Sequence, residues 1–449
     1  MTYKEALVYL ESFINYEKIN GYNYRSSLKL ERMKRFVSLL GDPQKDTISI
    51  HIAGTKGKGS TASYVHSILT KSGFRTGLYT SPHLTDFRER IRIGNELIGE
   101  RELSSILVKI KEVVERSMKY DRPSFFEIYT ALAYLYFKEK KCDFAVYEVG
   151  LGGRLDATNV IEPLVNVITP LSYEHMDKLG GTLTRIAVEK CGIIKKNSIC
   201  ISAPQEKEAL KVIEETCRKR NSRLFLVGKD ITFKEVHSNE FEQVFDIRGM
   251  SNEYTMLKSH LIGQYQIINA AAAIGIIEAL KLRGIFIPMR AVREGIECAR
   301  WEGRLEVMGR DPYIVLDGAQ NKASAGALAA AVKKIFKYKK LVLVLGVSKD
   351  KDINGILEEL TPISDSIVLT MSSVVERAMD AERIKEAAGK IGVGHNDILT
   401  TSNVDEALEN AILTAGKNDL ILVTGSLFVI GDAKAYFAVK GSRECIKAQ

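Results

Sequence analysis

Between His51 and Thr61 the chain reads His-Ile-Ala-Gly-Thr-Lys-Gly-Lys-Gly-Ser-Thr. Glycines, lysine and hydroxyl side chains in so short a stretch are the ingredients of a phosphate cradle. Glycines let backbone N–H groups approach phosphate oxygens, and a helix N-terminus adds favourable positive potential. Gly54, Thr55, Gly57, Lys58, Gly59, Ser60 and Thr61 are therefore candidate nucleotide contacts, with Lys58 as the point charge for the β- and γ-phosphates. The common phosphate-loop pattern places Ser or Thr directly after that lysine, whereas here Gly59 intervenes and Ser60 follows. A Gly-rich turn alone reads equally as a solvated loop. An apolar run Thr47–Ile52 before it and an amphipathic run Thr61–Ser72 after it put strand, turn, lysine, hydroxyl and helix in the order a phosphate site needs.

Glu148 is a second candidate. It ends an apolar run and precedes a Gly-rich turn. Ligands bind at the rim formed by the carboxyl ends of parallel strands, and Mg²⁺ bridging ATP phosphates needs one or two carboxylate or other oxygen ligands. The alternative is a solvated strand-end glutamate.

These residues must be carried by alternating elements. Strands are expected at Ile48–Ala53, Thr76–Tyr79, Phe144–Val149, Leu164–Thr169 and Ile199–Ser202, with helices at 3–17, 28–40, Phe126–Glu139 and Gln205–Arg220. The alternation implies a parallel sheet covered by helices. Residues 223–262 alternate over short distances and read as a small antiparallel addition, and the alanine-rich helix Gln264–Arg283 must pack closely on something. A second α/β series starts near Glu306, with strands Tyr313–Leu316, Leu341–Leu345, Ser366–Leu369 and Leu420–Val423 and helices near 323–336, 352–360, 380–389 and 404–415. This places a domain boundary near residue 299, giving domains 1–299 and 300–449.

The bulk properties fit a globular chain. It has 449 residues, enough for two or three domains, with 45% hydrophobic and 27% charged residues. No apolar run approaches the roughly 18 residues of a membrane span, and the N-terminus lacks a signal-peptide layout. The six cysteines (142, 191, 200, 217, 298 and 445) are scattered without a C-x-x-C pair, which argues against a zinc ribbon and for reduced cytosolic thiols. A net charge of +8 is modest at this length, and no nucleic-acid motif accompanies it. Anionic small substrates are the milder reading. No nucleic-acid or membrane partner is expected; a cytoplasmic monomer is.

Nine blocks occur in order: Gly54-Thr-Lys-Gly-Lys-Gly-Ser60, Thr80-Ser-Pro-His-Leu84, Glu89-Arg-Ile91, Glu148-Val-Gly-Leu-Gly-Gly-Arg-Leu-Asp-Ala-Thr-Asn159, Glu189-Lys-Cys-Gly-Ile193, Gly263-x-x-Gln-x-x-Asn269, Gly303-Arg-Leu-Glu306, Asp317-Gly-Ala319 and Thr424-Gly-Ser-Leu427. Together they resemble the dihydrofolate synthase/folylpolyglutamate synthase family of the Mur ligase superfamily, over nearly the whole chain. The resemblance implies an α/β fold: a P-loop Mur-ligase-type N-terminal domain with a parallel sheet, then a smaller Rossmann-like domain. It implies ATP-dependent ligation of L-glutamate to dihydropteroate and to folate polyglutamates through an acyl phosphate.

It also implies site residues. Mg²⁺, as two ions, would be held by Glu148, Ser81, His175 and the loop hydroxyl Ser60. His175 alone reads as a structural or surface histidine, and histidine is an unusual Mg²⁺ ligand. Lys190 matches a lysine that carries a carbamate made with CO₂; alone it reads as a surface lysine. Lys58, Lys190 and His175 are thus the expected catalytic residues. Ser124, Phe125, Phe126, Glu127 and Asp156 fall where the family holds the pterin, a flat ring suited to an aromatic wall and a carboxylate; core packing is the competing reading for the two phenylalanines. Asn269 resembles the adenine contact, and Arg304 and Asp317 the second-domain contacts to ATP phosphate and ribose.

One block departs. The family usually reads Asp-Gly-Ala-His-Asn-Pro where this chain has Asp317-Gly-Ala-Gln-Asn-Lys322. Gln320 cannot titrate near neutral pH, so it is expected to hydrogen-bond the γ-phosphate or the incoming glutamate, with Lys322 supplying the charge a protonated histidine would give. Two other classes compete: a Mur-type ligase acting on a cell-wall nucleotide-peptide, which carries a further N-terminal domain for which the 53 residues before Gly54 are too few, and a non-ligase P-loop ATPase.

Overall fold

The computed structural model describes residues 1–19, 21–392 and 398–447, with side chains to residue 440. The first eleven strands are β1 Ile48–Ala53, β2 Thr76–Tyr79, β3 Ile91–Ile93, β4 Glu96–Leu97, β5 Phe144–Glu148, β6 Val165–Ile168, β7 Ile199–Ser202, β8 Arg223–Leu226, β9 Thr232–Ser238, β10 Gln243–Arg248 and β11 Glu253–Ser259. The first eight form one sheet in the order β4-β3-β2-β5-β1-β6-β7-β8. The six strands from β2 to β8 in that order are parallel, while β3 and β4 run antiparallel at one edge. The large sheet is thus mixed, not purely parallel. Its inner strands are buried without alternation, the polar Ser49, His51 and Asn166 included, because helices cover both faces.

Strands β9–β11 form a separate antiparallel sheet, as the alternation in 232–259 requires. Phe245, Ile247, Tyr254 and Leu257 of this sheet share one core with Ile50, Ile52, Val65 and Ile68. The helix Gln264–Lys281 runs between them, with Ala270–Ala273 fully buried. At its far end the buried Glu278 carboxylate accepts from the amides of Ser251 and Asn252, the Asn252 side chain and the Tyr254 hydroxyl.

The remaining strands are β12 Glu306–Arg310, β13 Tyr313–Leu316, β14 Leu341–Leu345, β15 Ser366–Leu369, β16 Ile398–Thr400 and β17 Leu420–Thr424. They form a sheet in the order β12-β13-β17-β14-β15-β16, parallel except for the edge strand β12. Its core is closed partly by the helix Leu427–Lys447, through Val429, Ile430 and Ala433. Among the described residues no helix is long and apolar enough to cross a membrane.

Several local expectations shift. The first helix ends at Glu11, not 17, and Tyr16, Glu17 and Tyr22 of the segment that follows reach a central cavity. The helix after the Gly-rich turn starts at Lys58, not Thr61. Gly57, at φ +79°, makes the turn a side chain would strain, so the helix begins one residue later.

Candidate active site

The two large sheets direct the carboxyl ends of their strands at one cleft. A cavity of about 1170 Å³, part of it open to solvent, is walled by loops after β2, β5 and β6 (Ser81, Asp156, His175) and by loops of the second sheet (Gln320, Lys351, Ser426). A smaller neighbouring cavity is lined by Gly59, Ser81, Glu148 and Arg304, so Ser81 belongs to both.

The phosphate-loop residues are placed as a cradle. β1 pairs with β5 so that Ile52 lies beside Glu148, and the chain leaves β1 directly into Gly54. Thr55 is fixed from behind by its amide to the Pro170 carbonyl and by its hydroxyl to the Ser172 carbonyl. Lys58, Gly59, Ser60 and Thr61 form the first turn of the helix Lys58–Lys71. Thr61 Oγ1 is buried without a hydrogen-bond partner among the described residues. An unmet buried hydroxyl at a helix N-terminus suits a ligand of anionic oxygens.

Glu148 is buried, and among the described residues its carboxylate meets the Ser81 amide at 3.4 Å and Lys58 Nζ at 3.8 Å. Burial raises its pKa, with Lys58 opposing. A buried carboxylate with so few donors is suited to a hard cation. A donor set of one carboxylate and the hydroxyls of Ser60 and Ser81 fits Mg²⁺, which keeps several waters and phosphate oxygens of its own. His175 sits on the wall in a left-handed conformation, φ 52°. Burial drives its pKa down to about 3, so the ring is neutral and has a lone pair to offer.

Lys190 is buried and donates from Nζ to the Gly54 carbonyl at 2.7 Å, which ties the helix Leu183–Cys191 to the phosphate loop. Burial first, and Lys58 second, lower its pKa to about 7. It is not the surface lysine its local sequence suggests.

Of the ring-site residues, Ser124, Phe126, Glu127 and Asp156 line the large cavity. Phe125 does not, which corrects the expectation for it. It is fully buried, packed between the rings of Phe87 and Tyr129, because adjacent residues in a helical first turn face different directions. Ser124 and Glu127 form a capping box that starts the helix Phe125–Glu139, and Arg32 clasps the Glu127 carboxylate. Asp156 accepts from the Leu151 amide and from the amide and hydroxyl of Thr158. Burial raises its pKa against those hydrogen bonds.

Asn269 faces the loop at Gly57 and is held by Gln266 at 2.9 Å. Asp317 accepts from the amides of Leu305 and Ala319, and burial raises its pKa. Arg304 donates to the Gly303 carbonyl and lines the smaller cavity.

Gln320 donates from Nε2 to Glu174 Oε1 at 3.1 Å. The expected charge substitute, Lys322, is wrong: it is exposed and paired with Glu358 at 2.6 Å, because it opens the helix Lys322–Ile335 pointing outward. The cations near Gln320 are Lys56 and Lys351, at 3.3 and 3.5 Å from Glu174. Burial alone would raise the Glu174 pKa, but the two lysines hold it well below the usual range. Sequence reasoning missed this group. A signal existed: Glu174 directly precedes His175, and Lys351 lies in the charged run after the buried strand β14. It also missed Tyr16, Glu17 and Tyr22, which cover the cavity from the N-terminal segment. Glu17 is pinned there by Arg90, which itself lies against the rings of Phe125 and Tyr129.

A phosphate-loop sheet followed by a second α/β sheet, both opening on one cleft, is the arrangement of a Mur-type ATP-dependent ligase. The Mur ligase middle domain family matches residues 52–277, and the Mur ligase, glutamate ligase domain family matches residues 303–427. The chain is 35% identical over 416 residues to the dihydrofolate synthase/folylpolyglutamate synthase of Bacillus subtilis, covering 90% of this chain and 94% of that one. The Mycobacterium tuberculosis folylpolyglutamate synthase complexed with ADP superposes with a TM-score of 0.89 at 32% identity, covering 97% of this chain and 98% of that one. E. coli FolC in complex with DHPP and ADP gives 0.85 at 27% identity, covering 99% of each. This chain belongs to the dihydrofolate synthase/folylpolyglutamate synthase family.

Proposed function

We propose that the protein joins the α-amine of L-glutamate to the carboxylate of dihydropteroate, and extends folate polyglutamate tails by the same reaction. The observation that carries this is the chemistry of the large cavity. One wall offers an aromatic ring and apolar side chains, Phe126, Leu151 and Leu155, suited to a flat pterin. The same cavity is also lined by Lys351, Lys178 and Arg377, suited to a dicarboxylate amino acid.

A carboxylate does not react with an amine directly, because oxide is a poor leaving group. Its oxygen attacks the γ-phosphorus of ATP, the bond to the ADP oxygen breaks, and an acyl phosphate forms. The glutamate amine then attacks the acyl carbon and phosphate leaves, taking with it the oxygen that came from the carboxylate. Lys58 and the helix N-terminus stabilise charge on the transferring group. Asn269 is assigned to adenine, and Arg304 and Asp317 to phosphate and ribose. Glu148, Ser60, Ser81 and His175 would hold Mg²⁺ as two ions, which when bound would neutralise the phosphate charge. Lys190 would carry a carbamate. The units are taken as 1–299 and 300–449, and a cytoplasmic monomer with reduced thiols belongs to the same reading.

The test is ADP release with ATP and Mg²⁺, run with and without dihydropteroate or tetrahydrofolate and with and without glutamate. Release that needs both substrates supports the reading. Equal release without glutamate would leave only an ATPase.

Two variants probe the walls. Asp156→Ala removes the carboxylate assigned to the pterin ring, and a buried ring donor left unpaired costs roughly 1–3 kcal/mol. It should weaken dihydropteroate at least about ten-fold while ADP affinity shifts less than about two-fold, read by calorimetric titration. Equal losses for both ligands would put the carboxylate elsewhere. Gln320→Ala removes the hydrogen bond to ionised Glu174 and should lower kcat/KM by about 1–2 kcal/mol, the size of one bond to a charged group. Steady-state kinetics indistinguishable from the parent would give Gln320 no role.

A further inference from the structure

Trp301 is the single tryptophan of the chain and has no place in the chemistry above. It stands on the segment that joins the two large sheets, and it lies against the phosphate loop. A Cβ built on Gly59 would fall 2.6 Å from Trp301 Cζ2 and 2.7 Å from its Cε2 and Nε1. Real Cβ atoms essentially never show that approach, so the Nε1–Cε2–Cζ2 side of the indole is packed directly against the backbone of the residue after Lys58. One turn on, Ser63 Oγ donates to the Arg300 carbonyl at 2.7 Å. The same helix that carries Lys58 is therefore fastened to the joining segment at two successive points.

The segment continues straight into second-domain residues. The Gly303 carbonyl accepts from the Gly318 amide at 2.9 Å and from Arg304 Nη1 at 2.8 Å. The Leu305 amide donates to Asp317 at 2.9 Å. Trp301, Gly59, Glu148 and Arg304 line the same small cavity. A continuous run of contacts thus links the backbone at residue 59 to the residue that carries the guanidinium at 304.

We propose that Trp301 is a positioning residue for ATP: its indole, seated on Gly59, braces the first turn of the phosphate-binding helix and sets Arg304 across the cleft from Lys58. This rests on the reading of Gly54–Thr61 as the phosphate site. It also explains the glycine between Lys58 and Ser60. Gly59 has no left-handed φ that would call for glycine. The indole calls for it. Gly59 and Trp301 are a matched pair, and the departure from the common loop pattern is the footprint of an aromatic ring.

The test is a double-mutant cycle read in ATP kinetics. Trp301→Ala should raise the KM for ATP at least about ten-fold with a smaller change in kcat, and Trp301→Phe, which keeps a flat ring, should stay within about three-fold of the parent. Gly59→Ala should lose at least about ten-fold in kcat/KM in the parent, where its methyl meets the indole, but less than about three-fold when added to Trp301→Ala. In the parent, ADP should change the emission of this one tryptophan. If Trp301→Ala does not fold, the ADP titration of tryptophan emission in the parent and in Gly59→Ala decides: an ADP-linked change in the parent that is weakened in Gly59→Ala supports the role, and no change in the parent overturns it. An equal Gly59→Ala penalty in both backgrounds overturns it too. Lys58→Ala, run alongside, separates the two readings. Normal turnover there would remove the phosphate site itself, whereas its loss together with an equal Gly59→Ala penalty removes only the role of Trp301.

Discussion

Lys58→Ala is expected to lose at least about 100-fold in kcat, equivalent to about 2.7 kcal/mol of transition-state stabilisation, the usual size of one contact to developing charge. Lys58 is the first residue of its helix, partly exposed to the cleft, and its Nζ is 3.8 Å from Glu148. The side chain reaches both the anion it would stabilise and the carboxylate assigned to the cation. Alanine removes the charge and leaves buried Glu148 with a long hydrogen bond from the Ser81 amide. Lys58→Arg should recover little, because a planar fork does not replace a compact ammonium on a short tether to the loop. Near-normal turnover in a folded Lys58→Ala protein would remove this loop from the mechanism.

Lys190→Ala is expected to abolish measurable turnover, with acetate or another short carboxylate restoring part of it. The physical case starts from burial. An amine must be neutral to attack CO₂, and a lysine held near pKa 7 is about half neutral at pH 7. The step forms one N–C bond and releases one proton, and the nitrogen keeps a hydrogen for the Gly54 carbonyl it already contacts. Carbamate formation should therefore rise as pH climbs through about 7 and fall below it, because the protonated amine cannot react. Turnover measured with and without added bicarbonate across that range reads the effect. A free Lys190 amine in active protein, seen by intact-mass measurement without acid or by high-resolution density, would falsify the carbamate.

The parts of this fold that the chain announces are those where one force acts alone. Short apolar runs such as Leu341–Leu345, preceded by charged residues, read as buried strands, and that strand and β5 fall where expected. The edge strands β3 and β4 are two or three residues long and carry no period. The helix Glu100–Ser117 is absent from the sequence reading for a different reason. Its buried positions, Leu103, Ile106, Leu107, Ile110 and Val114, do recur at helical spacing, but they lie scattered among charges on a half-exposed surface.

The site divides in the same way. The phosphate loop is legible because its chemistry is local in sequence. The Glu174 cluster is not, because its partners come from residues 56, 320 and 351, which only the tertiary fold brings together. Lys322 shows the reverse error. It is two residues from Gln320 in the chain, yet helix geometry turns it toward Glu358 and away from the cleft. Phe125 and Phe126 are adjacent and chemically identical, and only the direction each takes from the first helical turn sends one to the core and the other to the cavity.

The four donors gathered by Glu278 have a consequence for how the molecule opens. They staple the turn between β10 and β11 to the end of the helix Gln264–Lys281, whose other end carries Asn269 at the phosphate loop. The antiparallel sheet also shares its apolar core with β1 and the phosphate-binding helix. Its inner strand β10 is tied into that larger core, so the paired amides of β10 are expected to exchange with solvent mainly when the larger body opens. A nucleotide that binds the folded form raises the cost of that opening by mass action. Slower exchange at β10 on adding ADP is therefore the expected result, read by hydrogen-exchange mass spectrometry; unchanged β10 exchange would show that the sheet opens independently.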